Sequence, residues 1–205
     1  MKKRMFNDKF RLTDLVIQGR KTMTSDILPE LGAETKLVGT NENGDFEFRI
    51  GRNYNTVAIK PKFKLEEVVA VAQNYDTLYQ EGIWNYDAEA NLIDKYSHTA
   101  GWHNKMFVRP DLMPHLIVIE GIICGRIQEI TDEDCIKEGI VQWRDFEDCP
   151  KNASEITKNG FGFYGYWDVY ATPKKAFAEF INKIFGKGTW ERNPYRIAYE
   201  FTLIK

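Results

Sequence analysis

A lysine and a threonine three residues apart, in Gly19-Arg20-Lys21-Thr22-Met23-Thr24, are the side chains of this sequence best spaced for acid–base or acyl chemistry. The turn sits just past a helix-like stretch and leads into a strand, so it can aim Lys21 and Thr24 into one pocket. A lysine withdrawn from water loses part of its preference for the ammonium form. It can then take a proton from a nearby hydroxyl and make a threonine a nucleophile towards an acyl carbonyl. On an open loop the same two side chains are simply solvated, and only their surroundings decide between the two meanings.

Those surroundings follow from periodicity. Residues 7–18 carry Phe10, Leu12, Leu15, Val16 and Ile17 close to a 3.6-residue rhythm, which predicts one short amphipathic helix ending at Gly19. Within residues 36–60, Asn43-Gly44 between two strand-like runs predicts a tight hairpin, with Thr56-Val57-Ala58-Ile59 as a third strand. The β-branched runs at 68–72 and 116–124 read as buried strands at the centre of the sheet. Thr131-Asp132-Glu133-Asp134 is a capped start for a short helix before Gly139. Thr172-Pro173 opens a longer helix, whose Ala176, Phe177, Phe180, Ile181 and Ile184 form an apolar stripe up to Gly186. After Asn193-Pro194, residues 195–204 read as a closing strand. Residues 74–104 and 148–168 read as loop-rich lids or rims, with Trp84, Tyr86, Tyr166, Trp167 and Tyr170 as aromatic candidates.

The composition is that of an ordinary globular chain, with 43% hydrophobic and 28% charged residues. The length of 205 residues is read as one domain spanning 1–205. No apolar run is long enough for a membrane span, and the basic start Lys2-Lys3-Arg4 lacks the apolar stretch of a secretory signal, so a cytoplasmic location without membrane contact is expected. That basic start reads as a solvated terminus. A net charge of −2 rules out a broadly positive surface, so contact with a nucleic acid has to come from a local patch. Cys124, Cys135 and Cys149 are odd in number and lack a C-x-x-C pair, and His98, His103 and His115 form no i, i+4 pair. Reduced thiols are expected, and neither a metal nor a cofactor.

Gly160-Phe161-Gly162-Phe163-Tyr164-Gly165-Tyr166 is similar to the aromatic strand by which RRM domains stack bases, but the order of elements around it is not βαββαβ. It reads instead as a Gly-aromatic loop or strand packed on the sheet.

Gly19-x-Lys21-x-x-Thr24 after an amphipathic helix resembles the signature of the ASCH domain, a family of small β-barrels related to the PUA fold. The resemblance extends through Ile59-Lys60-Pro61-Lys62-Phe63-Lys64 and the following strand, through Gly101-Trp102 to Met113-Pro114, and through Ile127-Gln128-Glu129-Ile130 to Glu138-Gly139. It ends on Gly186-Lys187-Gly188-Thr189-Trp190 and Asn193-Pro194-Tyr195, as in the longer, phage-type members, and so covers most of the chain. It implies an α+β fold in the form of a PUA-like curved β-barrel with short flanking helices, and a cleft for RNA or a modified nucleoside lined by Gly19, Arg20, Thr22, Lys60 and Lys62. In some small bacterial members the cleft hydrolyses N4-acetylcytidine. By that analogy Lys21 would be the general base, Thr24 the nucleophile and Glu138 the group that protonates the leaving amine, with turn N–H groups holding the oxyanion. Two positions depart from the family pattern. Asp26 stands where an arginine is usual, exchanging a phosphate-binding cation for an anion, with Arg20, Lys60 or Lys62 as substitute cations. Glu66-Glu67 replaces Gly-Asp before a strand, a change in turn chemistry. Three readings follow: a base-binding module, an amidohydrolase for acylated nucleosides, and an accessory protein of a phage or mobile element whose cleft has lost its ligand.

Overall fold

The computed structural model describes residues 1–31, 34–51, 56–146 and 154–204, and of residues 86–89 and 156 the backbone alone. Cys149, the start of the 148–168 stretch and the Tyr86 side chain lie outside the described residues.

Ten strands in mixed sheets and seven α-helices make up an α+β arrangement among these residues. The principal sheet has five strands: β1 (Lys2–Arg4), β2 (Met23–Ile27), β6 (Val68–Val71), β7 (Leu116–Arg126) and β10 (Tyr195–Leu203), in the order β1-β6-β7-β10-β2. β1 runs parallel to β6, and the other pairs are antiparallel. The β-branched runs at 68–71 and 116–124 thus lie inside the sheet as expected. Full burial of β7 is corrected, however. Ile117 and Ile119 are buried, whereas Ile123 is 44% exposed, because past Glu120 the strand has one face on the core and one towards water.

A second sheet is the meander β3 (Lys36–Thr40), β4 (Phe46–Arg49) and β5 (Thr56–Ile59). Its first hairpin is looser than a two-residue turn. Asn41 N–H donates to Asp45 O and Gly44 N–H to Asn41 O, and Gly44 takes the left-handed φ of 80° that closes a three-residue loop. The third sheet pairs β8 (Val141–Gln142) with β9 (Phe161–Gly162). Beyond β9, Phe163 and Tyr164 are buried in the core, so the Gly-aromatic segment is packing.

The helix predicted over 7–18 is two pieces. A 3₁₀ turn at Asp8–Phe10 is separated from α1 (Leu12–Ile17) by Arg11 in the left-handed region. α1 does end at Gly19, whose φ of 69° lets the chain reverse so that Arg20 N–H and Lys21 N–H both donate to Leu15 O. The stretch 74–104, expected as loop, instead forms α2 (Tyr75–Gln80) and α3 (Tyr86–Tyr96). They carry their own small core, in which Tyr75 stacks on Trp84 at 4.9 Å, so Trp84 is buried and rims nothing. α4 (Asp132–Lys137) begins as predicted, Thr131 accepting from Asp134 N–H at 3.1 Å. α5 (Glu155–Asn159) follows the undescribed stretch. α6 (Pro173–Phe185) buries Ala176, Phe177, Phe180 and Ile181 of its predicted stripe on the main core, with Ile184 partly buried against it, and α7 (Thr189–Arg192) precedes β10.

The main chain does not close the five-stranded sheet: β1 and β2 are its two edges. Yet Arg4 of β1 donates to Asp26 Oδ1 at 2.6 Å and to Thr24 Oγ1 at 3.0 Å, both on β2. In a flat sheet four strand spacings of about 4.8 Å would separate those edges, more than an arginine spans. The sheet is therefore curved until its edges face each other, lashed by side chains across a seam.

Candidate functional site

The seam between β1 and β2 contains a cavity of about 120 Å³. Its polar floor is Arg4, Lys21, Thr24, Ser25 and Glu138, and α6 walls it with Phe180, Ile181, Ile184 and Phe185. The three residues singled out for chemistry, Lys21, Thr24 and Glu138, thus line one cavity. Each is buried.

Lys21 reaches this position because Gly19 turns the chain back under α1 while Thr22 N–H donates to Lys137 O, tying the turn to the end of α4. Glu138, which caps α4, is delivered by the same contact. The Lys21 ammonium donates to Met23 O at 2.6 Å, Glu138 O at 2.5 Å and Glu138 Oε2 at 2.9 Å. Three hydrogens meet three acceptors, which is the arrangement of a charged lysine. Burial pulls the Lys21 value below its ordinary one, against the opposing pull of Glu138. For Glu138, burial alone would raise the carboxyl, but Lys21, the Ser25 hydroxyl and Arg196 together hold it below the usual carboxylate range.

Successive residues of a strand point to opposite faces, and here that divides two neighbouring hydroxyls. Ser25 Oγ donates to Glu138 Oε1 at 2.5 Å and accepts from Arg196 at 2.8 Å, with Arg196 itself 3.6 Å from that carboxylate. Thr24 faces the other way and accepts from Arg4. The hydroxyl bonded to the Lys21–Glu138 pair is therefore Ser25, and no hydrogen bond joins Thr24 to Lys21 or Glu138. The cation at Asp26 is Arg4, with 11% of its side chain exposed, and not Arg20, Lys60 or Lys62. Arg4 Nε is buried without a hydrogen-bond partner.

The remaining predicted site residues lie elsewhere. Gly19 and Thr22 build the turn through their main chain. Arg20 lines a separate cavity of about 280 Å³ with Ile136, Val141 and Asp145. Lys60 lines a groove of about 440 Å³ beside Lys64 and Leu65, and Lys62 N–H donates to Tyr199 OH at 2.7 Å. The aromatic candidates Tyr166, Trp167 and Tyr170 are not in the cavity wall: Tyr166 stacks on Phe10, Trp167 is 69% exposed, and Tyr170 packs on Phe163. Cys124 and Cys135 are free thiols, pushed up to about 11 and about 12 by burial. Among the described residues no group of His, Cys, Asp and Glu has the geometry of a metal site, and no helix is long and apolar enough to cross a membrane.

Sequence reasoning passed over Arg4, Ser25 and Arg196. A three-residue strand carries no readable period, so Arg4 looked like a solvated terminus. Ser25 was within reach, since strand alternation puts residues 24 and 25 on opposite faces.

The depressed Glu138 carboxyl sets an acid limit. Its stabilising effect is complete above the unfolded glutamate value of about 4.3 and is lost as the pH falls through the lower folded value. Lys21, lowered by burial, acts only at the alkaline end. Melting temperature should fall steeply on acidification below about pH 4. Part of that slope should vanish in the Lys21→Met/Glu138→Leu double variant; an unchanged slope would take Glu138 out of the acid transition.

No family model, no curated protein and no solved structure matches the chain.

Proposed function

We propose that this chain is a base-binding module, a PUA-like ASCH-type domain whose seam cavity takes the base of an RNA or of a modified nucleoside. The observation that carries this reading is the convergence of Lys21, Thr24 and Glu138 on one small cavity between the two edges of a curved sheet. At about 120 Å³ it is well below the roughly 300–1,000 Å³ of pockets that enclose drug-sized ligands, so it suits a single ring with the sugar left outside. A polar floor opposite an apolar wall matches a planar ring with hydrogen-bonding edges.

Binding is favoured over chemistry by the way the polar groups are occupied. A general base needs a neutral lysine next to its hydroxyl, whereas each hydrogen of Lys21 already has an acceptor and Thr24 is held by Arg4. Hydrolysis of an acylated cytidine is the second reading. It draws on the same convergence and requires Lys21 to exchange Glu138 for Thr24 when substrate enters. An emptied, accessory cleft is disfavoured, since Asp26 pairs with Arg4 and does not fill the space beside Lys21.

Calorimetric titration with cytidine, uridine, adenosine, guanosine and N4-acetylcytidine tests both readings. Saturable binding of at least one of them is expected, weakened about fivefold or more by Thr24→Val, which keeps the shape and removes one hydrogen-bonding group. Absence of binding by all five removes the nucleobase reading. Release of cytidine from N4-acetylcytidine, lost in Lys21→Ala and Thr24→Ala, would replace it with the hydrolase.

A further inference from the structure

Strand β2 exposes main-chain groups to the seam. In its pairing with β10, Thr22 O accepts from Phe201 N–H and Leu28 N–H donates to Tyr195 O, while Thr24 lies opposite Tyr199. Bonded and non-bonded pairs alternate along an antiparallel ladder, so Thr24 and Asp26 bond to β10 while the main chain of Ser25 points the other way. Among the described residues no strand pairs with β2 on that side, where β1 faces it across the seam, and Ser25 lines the cavity. Its N–H and C=O stand side by side, on a residue only 8% exposed and with no main-chain partner among the described residues. Buried main-chain donors and acceptors are almost always paired, so this pair calls for a partner that offers an acceptor and a donor side by side.

We infer that the ligand is held by the main chain of Ser25, through a ring edge on which an N–H or NH2 donor sits next to an oxygen or nitrogen acceptor. The ring donates to Ser25 O and accepts from Ser25 N–H, as a neighbouring strand would. A peptide strand is the other natural partner of a free edge. It suits this edge less well, because Arg4 already spans the seam to Thr24 and Asp26 on either side of Ser25, and the space left beside Ser25 is about 120 Å³. The inference rests on the nucleobase reading only in taking the occupant to be a planar ring. It adds that the ring is recognised by its amide-like edge, and that a methyl group on the donor nitrogen blocks binding.

The test uses two matched pairs on the full chain: 2-pyridone against 1-methyl-2-pyridone, and uridine against 3-methyluridine, followed by amide-resolved NMR. Binding of the unmethylated member about tenfold or more tighter is expected, with the Ser25 amide proton moving downfield. Ser25→Pro removes an N–H that the β10 ladder does not use, together with the hydroxyl bonded to Glu138, and should lower 2-pyridone affinity by about the same factor, whereas Ser25→Ala, which loses the hydroxyl alone, should keep it. If the proline variant does not fold, the Ser25 amide of the native chain decides. Equal affinity within both pairs, or a Ser25 amide that stays still while other cavity amides move, overturns the inference. Nucleosides bound equally with and without the methyl group would leave the nucleobase reading standing and remove Ser25. 2-Pyridone bound at Ser25 with no nucleoside bound would do the reverse, and no binding by any probe removes both.

Discussion

Glu138→Ala should lower stability by about 3–5 kcal/mol, because it strands the Lys21 ammonium in the interior without its carboxylate. Lys21 and Glu138 expose 1% and 5% of their side chains, so water cannot replace the lost partner. The same substitution takes an acceptor from Ser25 and from the nearby Arg196. For a chain of this size the loss corresponds to a melting temperature lower by about 6–20 °C. The informative comparison is the double variant Lys21→Met/Glu138→Leu. It removes both charges of that pair and fills their space with apolar groups, but it still leaves the buried Arg196 without a carboxylate, so it should recover part of the loss. Urea unfolding of Lys21→Met, Glu138→Leu and the double variant closes the cycle. A Glu138→Ala protein within about 1 kcal/mol of native would mean that water reaches the pair.

Phe10→Ala should cost a comparable amount, about 3–5 kcal/mol. The Phe10 ring is 2% exposed and meets Phe163, Tyr166 and Phe180 at centroid distances of 5.8, 5.8 and 5.4 Å. It joins the turn before α1 to α6, and so joins the segment that delivers Lys21 to the wall that closes the cavity. Phe10→Leu should cost much less, because it keeps most of the volume. Urea midpoints with unchanged slope would check both variants. A small loss for Phe10→Ala would show that α6 is held to the cavity without this ring.

What the sequence revealed of the fold is what local periodicity encodes. The capped starts at Thr131 and Thr172, the break at Gly19 and the β-branched runs that become β6 and β7 can be read because each is decided by neighbours in the chain. The helical stretch 74–104 was missed. Its order comes from aromatic packing, Tyr75 on Trp84 and Tyr96, which satisfies no simple period. In the site, Lys21, Thr24 and Glu138 were nameable, and their meeting in one cavity was expected only by resemblance. Their partners were not, because Arg4 to Thr24 and Ser25 to Glu138 span sequence separations of 20 and 113 residues. The side on which each hydroxyl faces is a property of the sheet, and a motif written as a spacing does not carry it.

The lash across the seam also bears on how a ring of the proposed kind would enter. β1 contributes three residues to the sheet and joins it through β6 alone, whereas β2 and β7 are both locked to β10 over long ladders. Side chains supply the rest of the hold on β1: Lys2 donates to Lys62 O, Lys3 to Met106 O and Val108 O, and Arg4 to Asp26 and Thr24. Because Arg4 rides on that strand, its release unties Thr24 and Asp26 in the same movement. A ring entering between β1 and β2 would therefore have to part both contacts at once.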